Sequence, residues 1–491
     1  MGTFDRVVSR RAFGGLAGAA LSCMTAGGVS RAVAPQRREE GTVPANARVT
    51  EDAFAAHIEP ALAVNPRDPD NLLATCRVFV GPDIGLATYT SFDGGNTWQE
   101  HGLLPGLVPD YDGNPTVAFD GHGHGFVCGV VASQGPSRQG DALLWRTDDG
   151  GRSFRPPLTA IAGGIGLVDH PWLAIGTGRR PSPAPLYVAA RMYGTTDDGV
   201  VLARSMDGGR AFESPRALDP ATGAQATAPV AAAGPDGSLT VVYGARSLDG
   251  GVALRAVSSD DHGGSFTAPH DVAEVPAMAP DLGDVTAKSG PALAAAPASG
   301  LMCAALTGFD DATGLSRLLL TTSTTSAGQT PLWSEPMTIA ASDETVFLQP
   351  QVAVDDSHRI AISVYALSVT TLLMDVLLLV SDPARSATRP PTFAPPLRVT
   401  TRSFDPRQAI GTGSTHWLGN YQGLAAAAGH VFHPIWTDTR TGRTQIFTAA
   451  VRPHGRSRRA CQPRARGIMS TPERGPIEPR SAGTDRPRTA R

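Results

Sequence analysis

Lysine is almost absent from this chain: of 42 basic residues in 491, only Lys288 is a lysine and the rest are arginine. Charged residues of both signs make up only 18%. Six arginines face three acids over residues 1–40, and eleven face three over residues 452–491. Against a formal net charge of −3, that leaves residues 41–451 near −14. A body that acidic is a poor general binder of nucleic acid or of anionic membrane. Cysteines are few and show no CxxC or Cys/His metal spacing. Cys76, Cys128 and Cys303 sit in apolar runs ("LLATCRVF", "GFVCGVV", "GLMCAAL"), where cysteine packs as a small hydrophobe, and Cys461 lies in the basic tail. There is no glycine-rich phosphate loop between a strand and a helix, no Gly-x-Ser-x-Gly elbow and no His/Glu zinc helix, so nucleotide, serine-hydrolase and zincin chemistry have no sequence support. No cofactor and no metal are expected. "DGHGHGF" with His122 and His124 reads as a turn, and "DYDGNP" lacks the bidentate glutamate of a calcium loop. The sole membrane-span candidate, residues 359–380, carries Asp375 and reads as two adjoining buried strands.

What the chain has in abundance is punctuation, 55 glycines and 41 prolines, which favours many short strands. It also has a repeat. "SFDGGNTW" (91–98) returns as "TDDGGRSF" (147–154), "SMDGGRAF" (205–212) and "SDDHGGSF" (259–266), and "TTSAGQTPLW" (324–333) reads as a worn fifth copy. The shared order is hydroxyl, Asp, Gly, aromatic. It describes a hairpin turn in which glycine supplies unusual backbone angles, Asp and hydroxyl satisfy turn amides, and the aromatic plugs a gap between sheets. A second mark precedes each octet: "EPALAVNP", "NPTVAFDG", "HPWLAIGT", "APVAAAGP", "GPALAAAP" and "QPQVAVDD" each place proline before a short apolar strand. "NYQGLAAAAG" (420–429) keeps the strand without the proline.

Four short strands per unit of about 55 to 70 residues predict an all-β fold, a β-propeller of four-stranded antiparallel blades. Seven blades are preferred, with six as the alternative. The last unit has only three strands, and residues 47–52 ("ARVTED") are placed to supply its fourth. Residues 1–40 form a signal and linker, 41–452 the propeller, and 453–491 an Arg/Pro-rich tail too poor in apolar residues to fold. The start, with Arg10 and Arg11 ahead of a Gly/Ala-rich apolar run, matches a twin-arginine signal. It predicts an exported protein, expected to be a monomer, with Cys23 as an alternative lipid anchor.

The octets resemble the Asp-box, or bacterial neuraminidase repeat. Together with "GNYQGLAAAAG…PIWTDTRTGRTQIF", they make the chain similar to the sialidase-like propellers of exported bacterial proteins. That resemblance implies a glycan or glycoconjugate partner and a site in the loops at the mouth of the ring. It further implies an arginine triad for a carboxylate, a tyrosine nucleophile assisted by a glutamate, and an aspartate as acid or base. Carried onto this sequence, Tyr421, Glu59 and Asp112 are the candidate catalytic residues. Arg191, Arg246, Arg440, Asp438 and Asp169 are the candidate substrate-binding residues. The family's Arg-Ile-Pro signature is absent, and Arg77 in "TCRVFVG" does not match it. The alternative reading is a noncatalytic binding or scaffold propeller.

Overall fold

The computed structural model describes residues 45–453, leaving out 134–138, 165, 177–181, 194–198, 221–224, 236, 247–250, 276–281, 287–288, 298, 325–330, 384–389 and 413–414. The signal, Cys23, most of the tail with Cys461, Lys288 and the centre of the worn fifth octet therefore lie outside the described residues.

The chain is all-β and folds as consecutive antiparallel meanders. The first comprises His57–Asn65, Asp68–Val80, Asp83–Ser91 and Gln99–Leu103, hydrogen-bonded in that order. The same order repeats from Gly113–Phe119 to Leu158–Ile161, from Leu167–Ile175 to Arg216–Pro220, and from Gln225–Ala233 to His270–Glu274. It continues from Ala292–Ala295 to Met337–Ser342 and from Thr345–Val354 to Leu397–Arg398. The second and third meanders touch along one parallel bridge, Leu167 to Gly140. In the last sheet Gly423–Ala427, Val431–Asp438 and Gln445–Thr448 are joined by an outer strand from the other end of the unit, Ala47–Arg48. Its residues pair Ala47 with Thr448 and Arg48 with Phe447.

The innermost strand of each sheet packs against that of the next, and Gly423–Ala427 packs back against His57–Asn65, so the cycle closes. The cores show why. Successive side chains of a strand point to opposite faces, and in each sheet the two faces serve different neighbours. Leu72, Ala74, Cys76 and Val78 join Ile435 and Ile446 of the last sheet, whereas the intervening Leu73 joins Val127 and Trp145 of the second. Phe126 and Cys128 in turn pack with Leu186 and Val188 of the third. This is the β-propeller arrangement, and closing the ring protects the sheet edges. Cys76, Cys128 and Cys303 are free and buried in these seams. Residues 360–368 and 374–380 form two antiparallel strands. Among the described residues no helix is long and apolar enough to cross a membrane.

Each octet sits where the third strand of a sheet turns into the fourth. In the first, Ser91 Oγ donates to Asp93 Oδ1 (2.8 Å) and accepts from the Gly95 amide (2.9 Å), while Asp93 accepts the Thr97 amide and hydroxyl (2.9 and 2.6 Å). Thr147, Asp149, Gly151 and Ser153 repeat the pattern, as do Ser259, Asp261, Gly263 and Ser265. Gly151 (φ 99°) cannot be replaced, because a Cβ there would sit 2.5 Å from Thr90 Cγ2 of the preceding sheet. The octets therefore fasten neighbouring sheets.

Candidate functional site

Towards the opposite end of the strands from the octets, each innermost strand carries, in its first half or just ahead of it, a residue before a proline: Glu59, Asn114, His170, Ala228, Gly290 and Gln349, with Tyr421 in the matching place of the last sheet. Proline disfavours the helical regions for the residue before it, so the sequence predicts extended backbone at these points. The structure departs from that. Glu59 (φ 56°), Asn114 (φ 50°), His170 (φ 49°), Ala228 (φ 33°) and Gln349 (φ 50°) are all left-handed, and a register shift marks each of these strands there. Such backbone costs on the order of 1–3 kcal/mol per non-glycine residue and persists only where the surroundings impose it. Its effect is to give five of the sheets one position of common geometry around the ring.

On one arc these positions hold a buried polar cluster. Glu59 and Asp112 are wholly buried. Glu59 Oε2 accepts the Asn114 amide (3.1 Å) and lies 3.9 Å from Arg77 Nη1. Asp112 Oδ1 accepts the Ala132 amide (3.3 Å). Among the described residues Glu59 Oε1, Asp112 Oδ2 and Arg77 Nε have no hydrogen-bond partner. The Arg77 guanidinium lies 5.3 Å from the Tyr111 ring and 5.5 Å from that of Trp417, in a slot that exists because residue 113 is glycine. A Cβ there would stand 3.2 Å from Arg77 Cζ. Burial raises the Asp112 carboxyl from 3.8 to about 7; the Ala132 amide and Arg77 pull it down, Asp110 pushes it up, and burial prevails.

Tyr421 is buried beside this cluster. Its hydroxyl donates to the Pro115 carbonyl (2.8 Å), two sheets along the ring, and its ring meets Trp172 edge-on at 6.1 Å between centroids. Burial first, then the Glu59 charge, push the hydroxyl well above its ordinary 10. Gly419 (φ 101°) permits this approach, since a Cβ would come within 2.8 Å of the Glu59 backbone nitrogen. Gln349 Nε2 donates to the Gly419 carbonyl (2.7 Å) and Gln422 Nε2 to the Gln349 carbonyl (2.9 Å), sealing the same arc.

The remaining candidates spread further. Asp169 and Arg191 are cross-strand partners; Asp169 Oδ1 caps the His170 amide (3.0 Å), and the Arg191 guanidinium lies 3.9 Å from the Tyr193 ring centroid. Arg246 ends the strand Leu239–Arg246, and its side chain lies outside the described residues. Arg440 is engaged elsewhere, donating to Asp438 Oδ2 through Nε (2.9 Å) and Nη2 (2.6 Å) and to Asn46 Oδ1 through Nη1 (2.9 Å). Asp438, wholly buried, also accepts from Trp436 Nε1 (2.8 Å), so this pair knots the closing sheet to the outer strand. Sequence reasoning gave Arg77 no role. The signal available was Gly113, two residues before a proline, which leaves room for a guanidinium. Among the described residues no group of three or more His, Cys, Asp or Glu is placed to hold a metal, and His124 pairs with Asp120 (2.8 Å) inside its turn.

No protein-family model matches the chain, and no curated protein matches it in sequence. Solved structures similar to it include a polysaccharide lyase described as an ulvan lyase, at 14% identity and TM-score 0.48, covering 81% of this chain and 94% of that one. A Hadza microbial sialidase matches at 13% identity and TM-score 0.43, over 78% and 73% of the two chains. An α-L-arabinofuranosidase of Fusarium graminearum matches at 12% identity and TM-score 0.42, over 83% and 97%.

Proposed function

We propose that this chain is an exported, sialidase-like propeller that acts on glycans, with its reacting groups on the ring of residues that open the innermost strands. The reading takes each sheet as one blade, seven in all, and the octets as Asp-boxes. The twin arginines Arg10 and Arg11 support export. The observation that carries the function is that two wholly buried carboxylates lie near one buried arginine, Glu59 3.9 Å from it and Asp112 within its field, and that each keeps an oxygen with no hydrogen-bond partner among the described residues. Buried polar groups are normally satisfied, and strongly perturbed ionisable groups collect at functional sites.

One cation cannot neutralise two carboxylates. Glu59 has the Arg77 contact and an amide hydrogen bond, while burial holds the Asp112 carboxyl near 7, so Asp112 keeps its proton up to about neutral pH. A proton donor matched to the working pH is what cleavage of a glycosidic bond requires. In this reading Asp112 gives its proton to the leaving-group oxygen. Tyr421, sealed in the resting ring, reaches the anomeric carbon only once its hydroxyl has left the Pro115 carbonyl and the arc over it has opened, and it passes its proton to Glu59, its neighbour around the ring, as the bond to the sugar forms. Asp169 and Arg191 face the ligand from the rim, whereas Asp438 and Arg440 serve the closing seam.

A second reading, a noncatalytic binding propeller, is favoured by the one hydrogen bond Tyr421 makes, which ties its hydroxyl to a backbone carbonyl. A panel of fluorogenic sialosides and neutral glycosides separates the two. The hydrolytic reading expects turnover that falls by about a hundredfold or more in Asp112→Asn and is lost in Tyr421→Phe. Glycan binding with no turnover on the panel selects the second reading, and equal turnover by wild type and Tyr421→Phe removes the nucleophile.

A further inference from the structure

The ring is sealed on one arc and open on the other. Gln349, Tyr421, Glu59 and Asn114 are buried and stitched to one another or to neighbouring backbone, whereas His170, Ala228 and Gly290 are partly exposed. Side chains shrink along the open arc from imidazole to methyl to none. Among the described residues, a Cβ built on Gly290 would meet a single atom within 4 Å, Ala228 Cβ at 3.7 Å, where one on Gly419 would collide with Glu59. Trp172, two residues after His170, is partly exposed at the edge of this opening, and Asp169 and Ser289 flank it. His170 and Ala228 hold the same left-handed geometry as Glu59, Asn114 and Gln349, so two positions of this arc keep the backbone slot while its contents shrink.

The geometry points to a ligand subsite over His170, Ala228 and Gly290 that takes one pyranose ring of a glycan. Ala228 and Gly290 form an apolar floor, the Trp172 indole supplies an aromatic wall, and Asp169 and His170 supply polar groups for hydroxyls, the mixture that concave sugar-sized sites use, while the Ser289 hydroxyl is taken up by the Gln349 amide (3.0 Å) and Thr307 (2.9 Å). The place of the subsite stands on the packing of the ring. The identity of its occupant rests on the glycan reading above.

Cysteine mapping tests the two separately. Ala228→Cys, and Gly290→Cys as a second probe of the same arc, are compared with Gln349→Cys on the sealed arc. Each is treated with methyl methanethiosulfonate and the labelled residue located by mass spectrometry. Labelling at 228 or 290 on the order of tenfold faster than at 349 is expected, since thiol modification follows exposure; equal or slower labelling overturns the subsite, whatever glycosides the protein hydrolyses. A glycan that binds the wild type should slow labelling at 228 and should lose its binding to Ala228→Trp while circular dichroism stays unchanged. Unslowed labelling, or full binding by Ala228→Trp, overturns the occupant. If no glycan on an array binds the wild type, the functional reading falls on its own account, and the labelling ratio still decides the arc.

Discussion

Replacing Asp112 by asparagine should change how the stability of the ring responds to pH, and the size of the change follows from its burial. In the folded protein the carboxyl titrates near 7, against 3.8 when free in water. The folded state therefore binds the proton more tightly between these values, so stability is greatest below about 4 and is lost as pH rises, with the loss complete above about 7. Three decades of proton affinity at about 1.4 kcal/mol each amount to about 4 kcal/mol. For a unit of roughly 400 residues, with an unfolding entropy of about 0.85 kcal/mol/K, that is a melting-temperature difference of about 5 °C. About one of the three decades is already spent by pH 5, and the asparagine amide cannot ionise, so Asp112→Asn should melt lower than, or level with, wild type at pH 5 and gain about 3 °C on it by pH 8. Differential scanning calorimetry of both proteins across that range is the assay. Subtraction removes groups common to both, among them His433, whose ring burial lowers to about 4. A wild-type-minus-variant difference that stays constant from pH 5 to 8 would refute the reasoning, because it would mean that Asp112 titrates as an ordinary surface carboxylate.

Other expectations follow from contacts elsewhere in the ring. Arg440→Ala leaves Asp438 buried without its cation and should cost about 3–5 kcal/mol, read by chemical denaturation, with Arg440→Lys recovering only part because it cannot donate to Asp438 and Asn46 together. Asp149→Ala removes acceptors for the Ser153 amide, the Ser153 hydroxyl and the Thr147 hydroxyl, and should cost about 1–2 kcal/mol without altering glycan binding; a loss of binding at unchanged stability would move the octets from scaffold to site. Cys76, Cys128 and Cys303 should resist thiol reagents in the native protein and react in denaturant, since burial raises all three thiols, Cys303 to about 12. Peptide mapping of label at any of them under native conditions would contradict their placement in the seams.

Much of the scaffold was legible in the chain because its signals are local. An octet needs only its own hydroxyl, Asp and glycines to close a turn, and a proline ahead of a short apolar run marks an innermost strand whatever lies across from it. The supply of an outer strand by residues near 47 was legible by deficit, since the last unit is one strand short. The site was less so. Glu59, Asp112 and Tyr421 are brought to one arc as their positions imply, but Arg77 carries no motif: its importance comes from a glycine at 113 and two aromatic rings distant in sequence. Left-handed backbone before proline runs against the local preference and is imposed by the bulge in each sheet. Arg440 and Asp438 looked like rim groups because they end a strand at the mouth, and spacing does not say which way a side chain turns once the outer strand, with Asn46, is in place beside it.

The pairing of Ala47–Arg48 with Gln445–Thr448 has a consequence for how the protein is made. The first strand of the unit to be synthesised finds its partner only when nearly four hundred further residues have followed. Until then both the last sheet and its neighbour present bare edges, and the Asp438 carboxylate lacks the Arg440–Asn46 knot that holds it. A chain that stops before Gln445–Thr448 leaves Ala47–Arg48 without a partner and the ring unclosed.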